Sequence, residues 1–397
     1  MKQEDSSPSI LIGVSSGIAC YKSIEVIREL QKRGFQNIET VLTENTVNFL
    51  SPNLFEAITG KKPYIDVFEG GRLLSHINAV HRKNVFAILP ATANTIAKLA
   101  NGIADDFLST CYLAFKGKTL VFPSMNSNMY EHPATRRNLE RLKDDGCIVI
   151  EPESGYLACG YEGKGRLPDI QTIADYIELY SLRKTVLSGK KVLITSGGTV
   201  EPIDSVRVIT NRSSGAMGRE LAKAFALSGA DVTVITGNYT VRYPSYCRII
   251  EVETVEEMYR EVKNEFEKSD VLVMAAAVSD FKVKNYSSKK IKKTESLSIE
   301  LEQTVDILES IGKQKENKLL VGYAAETENL SENALKKLKR KNLDLIVANR
   351  VGGNQGFGER HLEGVIIDKM GNKYEFSEKK HQVAERIVSI VGNLLNG

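Results

Sequence analysis

Cysteine is scarce in this chain, and its spacing rules out a cross-linked framework. Five are present in 397 residues, Cys20, Cys111, Cys147, Cys159 and Cys247. An odd, scattered set with no C-x-x-C pair argues against a disulfide scaffold or a zinc site and for a reducing compartment. An excess of one charge is also lacking. Lysine and arginine number 53 against 50 acidic residues, a formal charge of +3. That is too weak for a nucleic-acid surface, so any basic cluster is local. No apolar run is long enough to span a bilayer. The opening MKQEDSSPS has neither the basic nor the apolar region of a secretory signal. The expectation is a cytoplasmic protein that binds neither nucleic acid nor membrane. What is present is an ordinary globular composition, 42% apolar and 26% charged, in a chain too long for one core.

The apolar run Ile10 to Val14 is punctuated by Gly13 and Gly17 and gives way to helical spacing from Ile18 to Gly34, which reads as strand, tight turn, helix. The grammar repeats at Thr40 to Thr43, at Val85 to Pro90 with a helix from about Asn94, and at Thr119 to Pro123. A helix near Ile170 to Leu182 precedes the polar stretch RKTVLSGKK. A second strand and glycine unit opens at Val192 to Thr195, with later strands at Asp231 to Thr236, Asp270 to Ala275, Lys318 to Gly322 and Leu343 to Ala348. A hairpin at Gly364 to Asp368 and Lys373 to Phe376 and an amphipathic helix from His381 to Leu395 close the chain. The expected fold class is α/β, with two doubly wound Rossmann-like parallel-sheet domains in tandem, the first flavoprotein-like. Their expected bounds are 1–182 and 191–397, with 183–190 as linker.

Doubly wound sheets bind ligands beyond the carboxyl ends of their strands, where helix N-termini offer N–H groups to phosphate. Gly13-Val14-Ser15-Ser16-Gly17 sits at such a place, although close packing of a helix on a strand asks for the same residues. The second strand ends at Thr43-Glu44 without a clear acidic ribose partner, so a flavin monophosphate suits the turn better than a nicotinamide dinucleotide. Ala91-Thr92-Ala93-Asn94-Thr95 combines small residues with polar ones, and helix capping alone would explain Asn94 and Thr95. Ser124-Met125-Asn126-Ser127-Asn128-Met129-Tyr130 is harder to dismiss as packing. The loop Glu151 to Asp169 holds Gly155, Gly160, Gly163 and Gly165 around Cys159, which reads as a hinged lid carrying an acid. The other cysteines read as inert filler. For His76, a surface histidine is the plainer reading.

In this order the motifs Gly13 to Ala19, Ser75-His76-Ile77, Pro90 to Thr95, Pro123 to Asn126, and Ala158-Cys159-Gly160 through Leu167 resemble the flavin-dependent phosphopantothenoylcysteine decarboxylases. The resemblance covers residues 10 to 180. It implies FMN held by Gly13, Ser15, Ser16, Gly17, Thr43, Ala91, Thr92, Ala93, Asn94 and Met125. It also implies His76 as base, Asn126 as holder of the substrate carboxylate, and Cys159 as the acid that protonates the reduced product. Oxidation next to sulfur makes loss of carbon dioxide easy, because the carbanion is delocalised onto sulfur. Two departures from the family pattern are Ser16 in place of a usual glycine and Tyr130 where tryptophan is frequent.

In the second half, Thr195-Ser196-Gly197-Gly198-Thr199 precedes Glu201-Pro202-Ile203-Asp204, Arg207 and Thr210-Asn211-Arg212-Ser213-Ser214-Gly215. Hydroxyls, amides and glycines before a helix suit a phosphate, but no G-K-[ST] follows, so this is not a Walker loop. A plain cap at Ser213 or Ser214 is the simpler alternative. Asp280 ends another strand, where it would hold magnesium, a sugar hydroxyl or merely a helix N-cap. Lys289-Lys290-Ile291-Lys292-Lys293 is by default a solvated loop. Lys337 and Lys341, four apart, share a helix face and could grip a polyphosphate.

These pieces, with Thr304 to Ile307 and Gly322 to Thr327, look like phosphopantothenate–cysteine ligase, which bacteria often fuse behind the decarboxylase. The resemblance implies that 4′-phosphopantothenate is activated by CTP as an acyl-cytidylate, that L-cysteine then displaces CMP, and that Mg²⁺ attends the triphosphate. CTP contacts would come from Ala275, Ala276, Asp280, Lys290, Thr304, Val305, Asp306, Ile307, Tyr323, Lys337 and Lys341. Asp280 would serve the metal, Lys290 would be catalytic, and Asn211 would stabilise the acyl-cytidylate. Val305 and Tyr323 replace a common proline and phenylalanine. The family further implies a homo-oligomer, with trimeric flavin domains and dimeric ligase domains. Two alternatives stay open: a tandem NAD(P) oxidoreductase, which the absent ribose acids disfavour, and a non-catalytic flavoprotein, against which stand His76, Asn126 and Cys159 together.

Overall fold

The computed structural model describes residues 8–66, 75–156, 160–292, 297–326, 328–350 and 361–396. It divides into two compact units, Met1–Leu182 and Arg183–Gly397.

The first unit is built on five parallel strands, β1 Ser9–Val14, β2 Asn37–Leu42, β3 Val85–Ala91, β4 Lys118–Pro123 and β5 Ile148–Val149. Their order across the sheet is 2-1-3-4-5. Every residue of β1 and β3 is buried, as expected of strands covered on both faces. Because successive side chains alternate in direction, Ile10, Ile12 and Val14 join Val26, Ile27 and Ile177 in one core. Leu11 meets Phe86, Ile88 and Leu108 in the other. The helix expected from Ile18 begins as a 3-10 turn, Ile18–Tyr21, before the α-helix Lys22–Lys32. The segment expected to be a hinged loop contains an antiparallel hairpin, β6 Glu153–Tyr156 and β7 Glu162–Arg166.

In the second unit the main sheet consists of β8 Lys191–Ser196, β11 Asp231–Thr236, β12 Arg248–Glu251, β13 Val271–Met274, β16 Leu319–Glu326, β17 Leu345–Arg350, β18 Leu362–Asp368 and β19 Lys373–Glu378. The spatial order is 12-11-8-13-16-17-18-19. The first six are parallel and run third-second-first-fourth-fifth-sixth, the dinucleotide-fold order. The last two are the expected antiparallel hairpin. Two short ribbons accompany the sheet, β9 Val200–Pro202 with β10 Val208–Thr210, and β14 Phe281–Val283 with β15 Leu301–Gln303. The closing helix Lys380–Asn396 packs on the helix Ala216–Leu227. Residues 183–190 are fastened to this unit: the Lys184 N–H donates to Leu227 O at 2.7 Å and the Leu187 N–H to Ser228 O at 2.8 Å. Among the described residues no helix is long and apolar enough to cross a membrane.

Candidate active sites

Strand order reverses between β1 and β3 in the first unit, and a crevice opens beyond the carboxyl ends of strands at such a point. Loops after all four long strands meet there. Thr43 follows β2 and donates its N–H to Val14 O at 3.1 Å. Buried Ser15 follows β1 and is committed internally, its hydroxyl donating to Pro90 O at 2.7 Å and accepting the Thr92 N–H at 3.0 Å. The sequence presents Ser15 as a ligand contact, whereas the structure makes it the strut between the β1 and β3 loops. Ser16 and Gly17 stay half-buried beside it. Gly13 lies within β1 against Phe86 and Leu108. Thr92, not Asn94 or Thr95, is the N-cap of the helix Ala93–Asn101, accepting the Thr95 N–H at 3.3 Å. Ala91 ends β3 and is buried, and Asn94 is exposed in the first turn.

The β4 loop reaches the same edge through a 3.0 Å hydrogen bond from the Ser124 N–H to Ala91 O. Asn126 caps the short helix Ser127–Glu131, its Oδ1 accepting the Asn128 N–H at 2.9 Å. The β6–β7 hairpin leans on this loop. Met125 donates its N–H to Gly165 O at 3.0 Å, and a Cβ on Gly165, at φ +148°, would lie 2.2 Å from Met125 O. Gly165 is therefore a contact point that no side chain could occupy, rather than the hinge expected from the sequence. Cys159 belongs to the connection between β6 and β7 and lies outside the described residues.

Sequence reasoning missed what secures the hairpin. Tyr130 is fully buried, donates its hydroxyl to Glu151, and lies beneath Arg136 at 4.5 Å from the ring centre. Lys164 of β7 pairs with the same carboxylate at 2.7 Å. Burial works to raise the Glu151 carboxyl, but the Lys164 ammonium, the Tyr130 hydroxyl and the Lys143 charge outweigh it and hold its pKa at about 2. The only sequence hint was a tyrosine where the family favours tryptophan.

His76 stands in the helix Ser75–Val80 with its Nδ1 enclosed and without a hydrogen-bond partner among the described residues. Its backbone carbonyl faces the Cys111 thiol at 3.8 Å. No described contact joins it to the Asn126 loop. The donor set of the crevice fits a flavin monophosphate. Segments 13–19 and 91–95 contain no carboxylate to repel a phosphate, and the buried Ser127 hydroxyl has no partner among the described residues.

The second unit repeats the principle between β8 and β13. A cleft of about 970 Å³ is walled by Asn211, Ala275, Ala276 and Asp280, by the run Thr304, Val305, Asp306, Ile307, and by Tyr323, Lys337 and Lys341. Buried Thr195 ties the first wall together, its carbonyl accepting the Ala275 N–H at 3.1 Å and its hydroxyl the Ala276 N–H at 3.3 Å. Asn211 donates through Nδ2 to both Ala277 O and Val278 O at 3.1 Å. Neither Ser213 nor Ser214 is the cap of the next helix. Gly215 is, without a side-chain hydrogen bond. A Cβ on Gly218 would lie 1.9 Å from Ser196 Oγ, so only glycine lets this helix begin so close to β8. Asp280 is exposed and precedes β14, which excludes the helix-cap reading.

Both basic groups expected to grip a polyphosphate are already paired. Lys337 Nζ is 2.6 Å from Glu326 Oε1, and Lys341 Nζ is 2.8 Å from Asp306 Oδ2. Burial tends to raise Asp306, but Lys341, the Glu309 N–H and the Arg340 charge hold it below the ordinary carboxylate range. Arg340, overlooked in the sequence, is a third cation on this wall. Thr304 Oγ1 donates to Ser279 O at 2.6 Å, joining two walls. The Tyr323 hydroxyl is enclosed without a partner among the described residues, and burial pushes its pKa well above the tyrosine range. Lys290 is exposed on the loop after β14 and is not among the residues walling the cleft. No cluster of three or more His, Cys, Asp or Glu able to hold a metal exists among the described residues. A lone carboxylate such as Asp280 suits magnesium that arrives on a nucleotide, since this ion takes one or two protein oxygens plus phosphates.

A family model described as Flavoprotein matches residues 1–180, and one described as DNA/pantothenate metabolism flavoprotein C-terminal domain matches residues 187–394. The chain is 42% identical over 374 residues to the coenzyme A biosynthesis bifunctional protein CoaBC of Bacillus subtilis (strain 168), covering 92% of each. It is 36% identical over 392 residues to the protein of the same name from Borreliella burgdorferi, covering 98% of this chain and 100% of the other. A cysteine/cysteine sulfinic acid decarboxylase of an unknown prokaryotic organism is 42% identical over 348 residues, covering 84% of this chain and 97% of its own. Among solved structures, the C-terminal domain of a coenzyme A biosynthesis bifunctional protein CoaBC is 35% identical with a TM-score of 0.47, covering 54% of this chain and 99% of that one.

Proposed function

The chain belongs to the family of coenzyme A biosynthesis bifunctional proteins, and from that premise we propose how its residues divide the two steps. It is an enzyme with a ligase in its second unit and a flavin-dependent decarboxylase in its first. The ligase joins L-cysteine to 4′-phosphopantothenate at the expense of CTP with Mg²⁺, and the decarboxylase turns the product into 4′-phosphopantetheine. The observation that carries this reading is a pair of crevices, each at the strand-order reversal of its own sheet.

In the first crevice Ser16, Gly17, Thr43, Thr92 and Asn94 hold FMN. When bound, the flavin supplies reversible two-electron oxidation of the carbon next to sulfur. His76 takes up a proton at its Nε2, the nitrogen left over from the enclosed Nδ1. Asn126 orients the substrate carboxylate without neutralising it, and Cys159 Sγ returns a proton to the product. Ser15 acts behind them as a brace.

In the second cleft, Lys337 and Lys341 exchange the carboxylates of Glu326 and Asp306 for phosphate oxygens, and Asp280 holds the metal that accompanies them. Asn211 stabilises the acyl-cytidylate until the cysteine amine displaces CMP. A homo-oligomer completes the assembly in the cytoplasm. The exposed Val206, Val208, Phe281, Tyr286 and Leu301 on the two ribbons support pairing of ligase units.

Purified protein incubated with 4′-phosphopantothenate, cysteine, CTP and Mg²⁺ is expected to yield 4′-phosphopantetheine by mass analysis, and to stop at the ligation product once FMN is removed. Failure to form either compound would overturn the reading. Conversion of free cysteine to cysteamine without CTP would transfer it to the cysteine-decarboxylase relative.

A further inference from the structure

The loop bearing Lys289, Lys290 and Lys292 is exposed at all three lysines, and its backbone is held by two residues more than eighty positions earlier. The Ile291 N–H donates to Asp204 Oδ2 at 3.0 Å, and the Ile291 carbonyl accepts from Arg207 Nη2 at 2.6 Å. The Ser287 N–H also donates to Ile203 O at 3.3 Å.

Asp204 is 2% exposed. Its Oδ1 accepts the N–H groups of Val206 and Arg207, both at 2.8 Å, and its Oδ2 lies 2.7 Å from Arg207 Nη2. One carboxylate thus shapes the turn between β9 and β10 and reaches across to the lysine loop. A turn alone needs only the first pair of bonds. The remaining ones fix the residue next to Lys290.

The same ribbon leads directly to the cleft. Asn211 follows β10 and bonds Ala277 and Val278 at the mouth of β13, while Thr210 Oγ1 donates to Thr199 O at 2.8 Å. The ribbon therefore carries Asn211 at one end and grips the backbone beside Lys290 at the other. We propose that Asp204, with Arg207, is a positioning residue for the ligase reaction, setting the lysine loop in register with Asn211. This rests on the ligase reading above and on Lys290 serving the nucleotide, the role that the resemblance implies for it, by reaching from its exposed loop beside the cleft.

The test is a double-mutant cycle on the full chain. Ligation is followed as CTP-dependent pyrophosphate release, and decarboxylation of added phosphopantothenoylcysteine serves as internal control. Asp204→Asn is expected to lower ligase kcat/KM by about tenfold or more and to leave decarboxylation unchanged. In a Lys290→Gln background the same change is expected to cost little, because the loop it positions no longer carries the working ammonium. Trypsin is expected to cut after Lys289, Lys290 or Lys292 faster in Asp204→Asn than in the native chain. If Lys290→Gln alone leaves ligation intact, the assignment of Lys290 fails and this inference with it. If Lys290→Gln impairs ligation while Asp204→Asn does not, or the two losses multiply independently, only the positioning role is overturned. Should Asp204→Asn not fold, Arg207→Lys carries the same test, since it keeps the charge and gives up the bond to Ile291 O.

Discussion

Replacing Gly165 by alanine tests whether the β6–β7 hairpin sets the geometry of the first crevice. The new Cβ would start 2.2 Å from Met125 O, where ordinary contact begins near 3.4 Å. The hairpin and the Met125–Asn126 loop must part by about 1.2 Å. Holding a non-glycine residue in that backbone region costs about 1–3 kcal/mol, and loss of the Met125 N–H bond to Gly165 O adds about 1 kcal/mol. The catalytic cost is of the same order, because a displacement near 1 Å in a reacting constellation lowers rates by about 100-fold. Decarboxylation of phosphopantothenoylcysteine should fall by that order while ligation in the same sample is unchanged. Gly160→Ala is the control. It also sits at positive φ, but among the described residues its Cβ would meet nothing nearer than the Tyr156 hydroxyl at 3.9 Å, so it imposes strain without displacement. Near-native decarboxylation by Gly165→Ala, or equal damage from Gly160→Ala, would refute the reasoning.

Asn211→Asp turns a carboxylate toward the carbonyls of Ala277 and Val278 that now accept from its amide. It should abolish amide formation but spare decarboxylation of added phosphopantothenoylcysteine, and loss of both activities would contradict independent sites. Cys159→Ser should remove decarboxylation, so intact formation of 4′-phosphopantetheine would show that another group delivers the proton. Glu151 has its pKa lowered to about 2, so its contribution to stability is complete above the unfolded carboxylate value and is lost as pH falls toward 2. Glu151→Gln should flatten that part of the acid-unfolding curve relative to the native chain. An unchanged difference between the two proteins from neutral pH to pH 2 would count against the pairing with Lys164.

The long elements were legible because their residues leave little choice. Ile10 to Val14 and Val85 to Pro90 are apolar runs of strand length bounded by glycine and small polar residues, and they form the buried centre of the first sheet. The ribbons were not legible. Val-Glu-Pro, Val-Ile-Thr, Phe-Lys-Val and Leu-Glu-Gln are too short to show a period, and β14 finds β15 only after an intervening loop. Glycines were legible as exceptions but ambiguous in meaning. Gly165 signals close approach of two backbones as readily as a hinge, and only a neighbour such as Met125 O decides between them. The counter-ions Glu326 and Asp306 escaped because nothing in sequence distance links them to Lys337 and Lys341.

Every side chain assigned to decarboxylation precedes Leu182, and every one assigned to ligation follows Arg183. Selection can therefore tune either step without redrawing the other. The gene has one natural seam, where fission into separate enzymes, or exchange of one half for a foreign counterpart, leaves each set of reacting groups whole.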